Sequence, residues 1–200
     1  MSSNFLNLNF MKTTRFFINA FVCIALATTF TSCSDDDDNP EEVNENEFIT
    51  NVNLVFTNDA DASDIVTLAN AAPNGQDGPF TNTVVGSFTA GETYSLSIGI
   101  LNGDEDVIVS DIIPEADEHF FWFRVNGINL TMTRDSDDVA GVADSKLGFN
   151  TTWVAGDAST GNVQIALIHQ PTGADDSDEW GTATGGSEDL NITFEDVEIE

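Results

Sequence analysis

The feature that most constrains the fold is a period-two alternation of apolar and polar residues, which begins after residue 46. It is clearest where Tyr94, Leu96, Ile98 and Ile100 alternate with serine and glycine. Successive side chains of a strand point to opposite faces, so this alternation indicates a strand with one buried face. Similar segments recur between turn residues, about nine strands in all, and no segment has a sustained helical period.

The pattern predicts an all-β fold, an antiparallel β-sandwich that is immunoglobulin-like in the broad sense. A small β-barrel is the alternative architecture. We expect residues 48–200 to form one domain, because a chain of this length buries enough surface to fold around its own core.

Three local features refine the strand pattern. The pair Asn126-Gly127 stands between two apolar segments and predicts a tight hairpin. Residues 107–113 are rich in β-branched side chains and predict a strand. Val197 and Ile199 are out of phase with the apolar residues before them, which predicts a bulge near Glu195.

Residues 1–32 have the pattern of a secretory signal peptide. The apolar stretch from Phe16 to Phe30 follows the basic residues Lys12 and Arg15, and Met11 is a candidate start. The stretch is shorter than the roughly 20 residues that a membrane-spanning helix needs. A basic flank, a short apolar core and small residues at its end are typical of a segment that is removed on export.

The residues around Cys33 predict a lipid anchor. Phe30-Thr31-Ser32-Cys33 resembles the lipobox of bacterial lipoproteins, with Phe30 where leucine is common. The segment after it resembles the surface-export signal of Bacteroidota lipoproteins: Ser34, Asp35, Asp36, Asp37 and Asp38. The resemblance implies acyl chains such as palmitate on Cys33 and a position on the outer membrane, facing the cell surface. An ordinary cleaved signal with a chance cysteine is the alternative.

The acidic composition limits the partners of the chain. Residues 33–47 hold almost no apolar side chains, which predicts a solvated tether. The whole chain has 35 acidic residues and a formal net charge of −30. Such a surface repels nucleic acid, and we expect it to attract divalent cations or a basic partner. Solubility or adaptation to a salty medium is the alternative explanation of the charge. Because Cys23 lies in the signal and Cys33 carries the lipid, we expect no disulfide in the domain.

The two histidines are the candidate metal ligands. His119 ends an acidic segment with Glu115, Asp117 and Glu118, and His169 continues the apolar face of a predicted strand. If the two strands are neighbours, the imidazoles and a carboxylate form a set of the type that binds zinc or another divalent cation. The simpler interpretation is that each histidine hydrogen-bonds the backbone at the rim of the sandwich.

Other candidate sites are weaker. Four acidic clusters resemble calcium loops, but none has the spacing of an EF-hand. Trp122, within the aromatic segment 120–123, and Trp180 are a candidate ligand platform, with core packing as the alternative. We find no serine-hydrolase elbow and no zinc-protease motif, so the sequence predicts a protein that is not an enzyme.

From Phe48 onwards the chain resembles a family of small Bacteroidota surface lipoproteins that are often labelled "type 1 periplasmic binding fold superfamily protein". The resemblance rests on four segments: Gly91-Glu92-Thr93-Tyr94, residues 115–121, Thr151-Thr152-Trp153 and His169-Gln170-Pro171. It implies a shared sandwich and a shared position at the cell surface, and it implies no reaction. The strand pattern predicts a sandwich and not the two-lobed α/β structure that this label names.

Three functions follow as hypotheses. The leading one is a lipid-anchored, non-catalytic surface module that binds a ligand or assists an outer-membrane receptor or transporter through loops at one rim. The second is a lipoprotein that binds a divalent metal through His119, His169 and nearby carboxylates. The third is a structural component of the cell surface.

Overall fold

The computed structural model describes residues 48–72, 79–177 and 180–200. The predicted signal peptide, Cys33, the export residues and most of the tether lie outside these described residues. The described part contains twelve strands: Asn51–Asn58 (β1), Ile65–Ala71 (β2), Thr81–Val85 (β3), Thr93–Asn102 (β4), Glu105–Asp106 (β5), His119–Asn126 (β6), Leu130–Arg134 (β7), Thr151–Ala155 (β8), Ser159–His169 (β9), Gly173–Asp175 (β10), Thr182–Thr184 (β11) and Ser187–Ile199 (β12). No helix within it has the length and apolarity to cross a bilayer.

The strands form two main antiparallel sheets, which confirms the predicted all-β sandwich. The larger sheet has the order β3-β2-β1-β4-β8-β7, with β5 paired to β4, and the smaller has the order β12-β9-β6. A separate two-stranded ribbon joins β10 to β11. The difference between twelve strands and the nine expected comes mainly from β5, β10 and β11, which have only two or three residues each.

The core lies between the two sheets. On β1 the buried side chains of Val52, Leu54 and Phe56 alternate with more exposed neighbours, as the period-two pattern predicts. Trp153 of β8 connects the layers, because its ring contacts Phe56 of its own sheet at 5.3 Å and Phe123 of the smaller sheet at 5.5 Å. The apolar alternation therefore produces one continuous core.

The predicted hairpin at Asn126-Gly127 is wrong. β6 pairs with β9 in the smaller sheet, whereas β7 pairs with β8 in the larger one. The chain therefore turns a corner from one sheet to the other, and Gly127 has a φ of 79° there. Strands that switch sheets at a bend are a known way to close the corner of a sandwich.

The predicted strand at residues 107–113 is also wrong. Ile108–Ile112 form a single π-helical turn, which buries Ile108 and Ile112 and leaves Val109 exposed. Strand propensity is weak relative to tertiary packing, and residues four apart lie on one side of a helical turn. A second short turn, a 3-10 helix at Ala116–Glu118, leads directly into β6. A third short turn, also a 3-10 helix, covers Val142–Asp144.

The predicted bulge in the last strand is confirmed. The pairing of β12 with β9 shifts register between Phe194 and Val197. β12 has a second shift, between Glu188 and Leu190, which the sequence pattern did not indicate.

Candidate functional site

The two histidines lie opposite each other on neighbouring strands. His119 opens β6, His169 ends β9, and the two residues are register partners. Both belong to the core-facing side of the smaller sheet, because period two places them in phase with the buried Phe121 and Leu167. Their rings are stacked, with centroids 4.7 Å apart and planes 7° from parallel, and 0% and 5% of the two residues are exposed.

Asp189 is the third member of this group, and strand alternation did not indicate it. Glu188 pairs with Ile168 and Leu190 with Leu167, so Asp189 is the extra residue of a bulge in β12. A bulge redirects a side chain, and here the Asp189 side chain is 0% exposed. One carboxylate oxygen lies 3.8 Å from His119 Nε2 and the other 3.9 Å from His169 Nδ1.

A backbone contact fixes the tautomer of His119. Nδ1 of His119 lies 2.9 Å from the carbonyl oxygen of Glu115. A carbonyl oxygen only accepts hydrogen bonds, so Nδ1 carries the proton and, in the neutral ring, Nε2 presents a lone pair. Burial lowers the pKa of His119 below its ordinary value, although the Glu115 carbonyl and Asp189 oppose this shift. The neutral ring is therefore favoured, with its lone pair directed at Asp189.

The inner site, which we define as His119, His169 and Asp189, has the composition of a metal centre. His119 Nε2 and His169 Nδ1 are buried and have no hydrogen-bond partner among the residues that the structure describes. The lone pair of His119 and a carboxylate oxygen both accept hydrogen bonds, so they face each other without a shared proton. A cation between them would bind both the lone pair and the carboxylate, and the three ligand atoms lie within 4.8 Å of one another.

The dimensions of the inner site are slightly too large for zinc. Zinc binds nitrogen and oxygen at about 2.0–2.2 Å, so neighbouring ligand atoms of a tetrahedral site lie about 3.3–3.5 Å apart. His119 Nε2 and His169 Nδ1 lie 3.8 and 3.9 Å from different oxygens of the Asp189 carboxylate, and each distance exceeds this value by a few tenths of an ångström. Because the rings are nearly parallel, both must also tilt towards the carboxylate to direct their lone pairs at one ion.

A second group of ligand atoms shares His169. Its other ring nitrogen, Nε2, lies 3.8 Å from Glu118 Oε2, and Glu115 completes the group. We call Glu115, Glu118 and His169 Nε2 the outer position. Asp117, the third predicted carboxylate, is exposed and belongs to neither group.

Gln170 holds the outer position in place. Its side-chain Nε2 donates to Glu118 Oε2 at 3.0 Å, and its backbone N–H donates to the Glu118 carbonyl at 2.6 Å. Gln170 has a φ of 49°, a left-handed conformation that side chains other than glycine rarely adopt. Strained backbone of this kind is concentrated at functional sites.

The two tryptophans do not form a common platform. Trp122 is half-buried on the outer face of β6, where the Arg124 guanidinium lies 4.9 Å from its ring centre. Trp180 instead contacts the core, with its ring 5.9 Å from that of Trp153. In the same aromatic segment Phe121 and Phe123 are buried in the core between the sheets. Phe120, on the same face as Trp122, is buried next to the Arg134 guanidinium, which lies 4.7 Å from its ring centre.

The acidic loops mainly accept hydrogen bonds. Asp64 accepts from three side chains, and Asp138 accepts from four backbone N–H groups. Asp61 and Asp175 each accept from a serine two residues later. These contacts explain the clustering of carboxylates without a calcium ion.

The sequence did not indicate that Asp189 is a candidate ligand. Strand alternation places it out of phase with Leu190 and Phe194, on the solvent side of β12. Only the bulge reverses that direction, and no glycine or proline marks it. The histidines were recognisable as candidate ligands because the chain contains only two.

No known protein-family model, curated protein or solved structure matches this chain. The resemblance to Bacteroidota surface lipoproteins therefore stays a prediction from the sequence.

Proposed function

We propose that this protein binds one divalent transition-metal ion of the zinc type through His119, His169 and Asp189. The observation that carries the proposal is the buried lone pair of His119 Nε2, which faces the Asp189 carboxylate at 3.8 Å. A buried imidazole lone pair that faces a carboxylate at this distance favours a cation between them, either a proton or a metal ion.

The ligand types favour zinc over calcium. Two imidazole nitrogens and one carboxylate oxygen suit zinc and similar borderline metals. Calcium takes about six to eight oxygen ligands, which the inner site does not supply. The net charge of −30 adds a negative potential that raises the local concentration of any dication.

The proposal assigns binding and not catalysis. The side chains of His119, Asp189 and His169 are 0%, 0% and 7% exposed. A substrate has little access to a metal ion in such a centre, whereas an ion that is only bound there does not have to meet a substrate. The proposal therefore adopts the second of the three hypotheses, a lipoprotein that binds a divalent metal.

The location remains part of the proposal. With acyl chains on Cys33, the domain stands at the outer surface of the outer membrane on residues 34–47 as a tether. A membrane receptor or transporter that takes up the bound ion is then the candidate partner of the domain.

Mass spectrometry of the native N-terminal peptide tests the anchor, and an unmodified, secreted peptide would refute it. Crosslinking in intact cells tests the partner, and recovery of monomer alone speaks against it.

Calorimetric titration of the full chain in detergent with zinc chloride tests the binding site. We expect one saturable ion per chain, and at least tenfold weaker binding by Asp189→Asn, which loses a charged ligand but keeps the shape of the side chain. Glu188→Gln is the matched control, because it removes a charge from the exposed side of the same strand.

The double variant His119→Ala, His169→Ala separates specific from diffuse binding. If the wild type and this variant bind zinc equally weakly, the ions are held by the acidic surface and the proposal is wrong. A rise in the melting temperature of the wild type alone on adding zinc supports it independently, because a ligand of the native state stabilises that state.

A further inference from the structure

We propose that the outer position, formed by Glu115, Glu118 and His169 Nε2, receives a divalent metal ion and passes it to the inner site. This inference rests on the proposed function and adds to it a route for the ion. The ligand atoms of the outer position lie within 4.8 Å of one another. Since His169 is 5% exposed with Nε2 directed at Glu118, the group is more than a cluster of surface carboxylates.

Exposure rises from the inner site to the outer position. The side chains of His119 and Asp189 are 0% exposed, that of His169 is 7% exposed, and that of Glu118 is 46% exposed. Glu115 is also exposed to solvent. An ion from solution therefore meets the two glutamates first, and the His169 ring is the only group shared by both sets.

A cavity beside the site is a less suitable route for the ion. A cavity of about 400 Å³ borders Asp189 between β12 and the β2–β3 edge of the larger sheet. It reaches the backbone side of Asp189, however, because no part of the carboxylate is exposed. It also offers no histidine, so an ion there gains no nitrogen ligand: its lining is Ile49, Asn70, Phe80, Asn82, Asp189, Leu190, Asn191, Ile192 and Thr193.

His169 can bind an ion at the outer position or at the inner site, but not at both at once. A neutral imidazole has one lone pair, so His169 ligates through Nε2 at the outer position or through Nδ1 at the inner site. Transfer inward replaces the proton on Nδ1 with one on Nε2 and leaves the charge of the ring unchanged. The new Nε2–H then donates to Glu118, which is the carboxylate–histidine–metal arrangement common in zinc sites.

Glu118 therefore acts in both stages of the transfer, whereas the side chain of Glu115 acts only in the first. Glu118 is a ligand of the arriving ion and then the hydrogen-bond acceptor that orients His169 for the inner ion. The side chain of Glu115 serves only the outer position, and its backbone carbonyl, which orients His119, is unaffected by substitution. Glu115→Gln thus tests the route without changing the inner ligands.

Stopped-flow mixing of the full chain with zinc chloride, with release measured by a fluorescent zinc chelator, tests the route. We expect Glu115→Gln to slow association and dissociation together by about tenfold, the low end of electrostatic effects on association rates. Because the route serves both directions, the dissociation constant stays within about threefold of the wild type. Glu118→Gln slows loading and also weakens binding by about tenfold or more.

Asp117→Asn is the matched control. It removes an exposed carboxylate from the 3-10 turn that begins directly after Glu115, but from outside the outer position. If Glu115→Gln and Asp117→Asn give equal rates, the outer position is not the route and the inference is refuted. Absence of saturable zinc binding in the wild type refutes the proposed function itself, so the two failures are distinguishable.

Discussion

Asp64 illustrates how individual carboxylates act in this acidic chain. It accepts hydrogen bonds from Asn58 Nδ2 at 2.9 Å, the Tyr94 hydroxyl at 2.7 Å and Thr89 Oγ1 at 2.9 Å. The bonds from Asn58 and Tyr94 hold the pKa of Asp64 below its ordinary value. The Tyr94 hydroxyl also accepts from the backbone N–H of Thr89 at 2.8 Å, so one buried group joins two turns.

Tyr94→Phe should destabilise the domain in a pH-dependent way. Removing the hydroxyl deprives Asp64 of a donor and Thr89 of an acceptor, and we expect a loss of about 1–2 kcal/mol in the free energy of unfolding at pH 7. The folded pKa of Asp64 is lowered, so its contribution is present above the ordinary value of 3.8 and is lost as the pH falls through the lower folded value.

Urea unfolding of the wild type and Tyr94→Phe from pH 7 towards pH 3 measures this effect. The difference between the two proteins should shrink on the acidic side. Ser97→Ala, which removes a hydroxyl from the exposed face of β4, should change the stability by no more than about 0.5 kcal/mol. A difference that stays constant over this pH range contradicts the role assigned to Asp64.

At the scale of elements, a single carboxylate organises the connection between β7 and β8. Asp138 accepts from its neighbour Val139 at 2.9 Å and from three successive N–H groups of the returning chain, at 2.7, 3.0 and 2.8 Å: Gly148, Phe149 and Asn150. The connection is too long for a tight turn, so this carboxylate replaces the regular hydrogen bonds of a hairpin. The two ends of the connection are thereby held next to each other, one at the end of β7 and the other at the start of β8.

Asp138→Asn should loosen this connection. An amide has only one oxygen to accept from four N–H groups, and the bonds lose their charge, so we expect a cost of about 2–3 kcal/mol. Asp137→Asn is the control, because the contact that Asp137 makes is through its backbone carbonyl, which is unchanged. Urea unfolding gives the free energies, and amide hydrogen exchange at residues 148–150 reports the local opening. Equal stability of the two variants would show that Asp138 does not hold the connection.

At the scale of the whole molecule, one tryptophan links the two sheets. Trp153 is fully buried and contacts Phe56, Phe123 and Trp180 with edge-to-face geometry. Its indole N–H donates to Thr151 Oγ1 at 3.0 Å, so its polar atom is also satisfied. With no disulfide expected in the domain, contacts of this kind must hold the layers together.

Trp153→Ala should destabilise the whole domain by about 3–5 kcal/mol, because it leaves a large cavity between the sheets. Trp122→Ala removes the same side chain from the half-buried outer face and should cost less than Trp153→Ala. Urea unfolding followed by circular dichroism compares the two. An equal cost at both positions would mean that the sheets do not depend on the central contact.

The candidate site was predictable only in part. The sequence identified His119 and His169 as the ligands to consider, and Glu115 and Glu118 as neighbours, because a chain with two histidines offers few alternatives. It did not identify Asp189, because strand alternation directs that residue to solvent. It also gave Trp122 and Trp180 a shared role that their separate environments do not support.

By itself, the sequence determined that the domain is built of antiparallel strands, since period-two alternation fixes which side chains of each strand are buried. It also determined the bulge near Glu195, where the phase of that alternation changes. Only the tertiary structure decided which strands are neighbours: it separated β6 from β7 and brought His119 opposite His169, 50 positions along the chain. The reason is that alternation specifies a face and not a partner, so pairing and the inward turn of Asp189 depend on how distant segments pack.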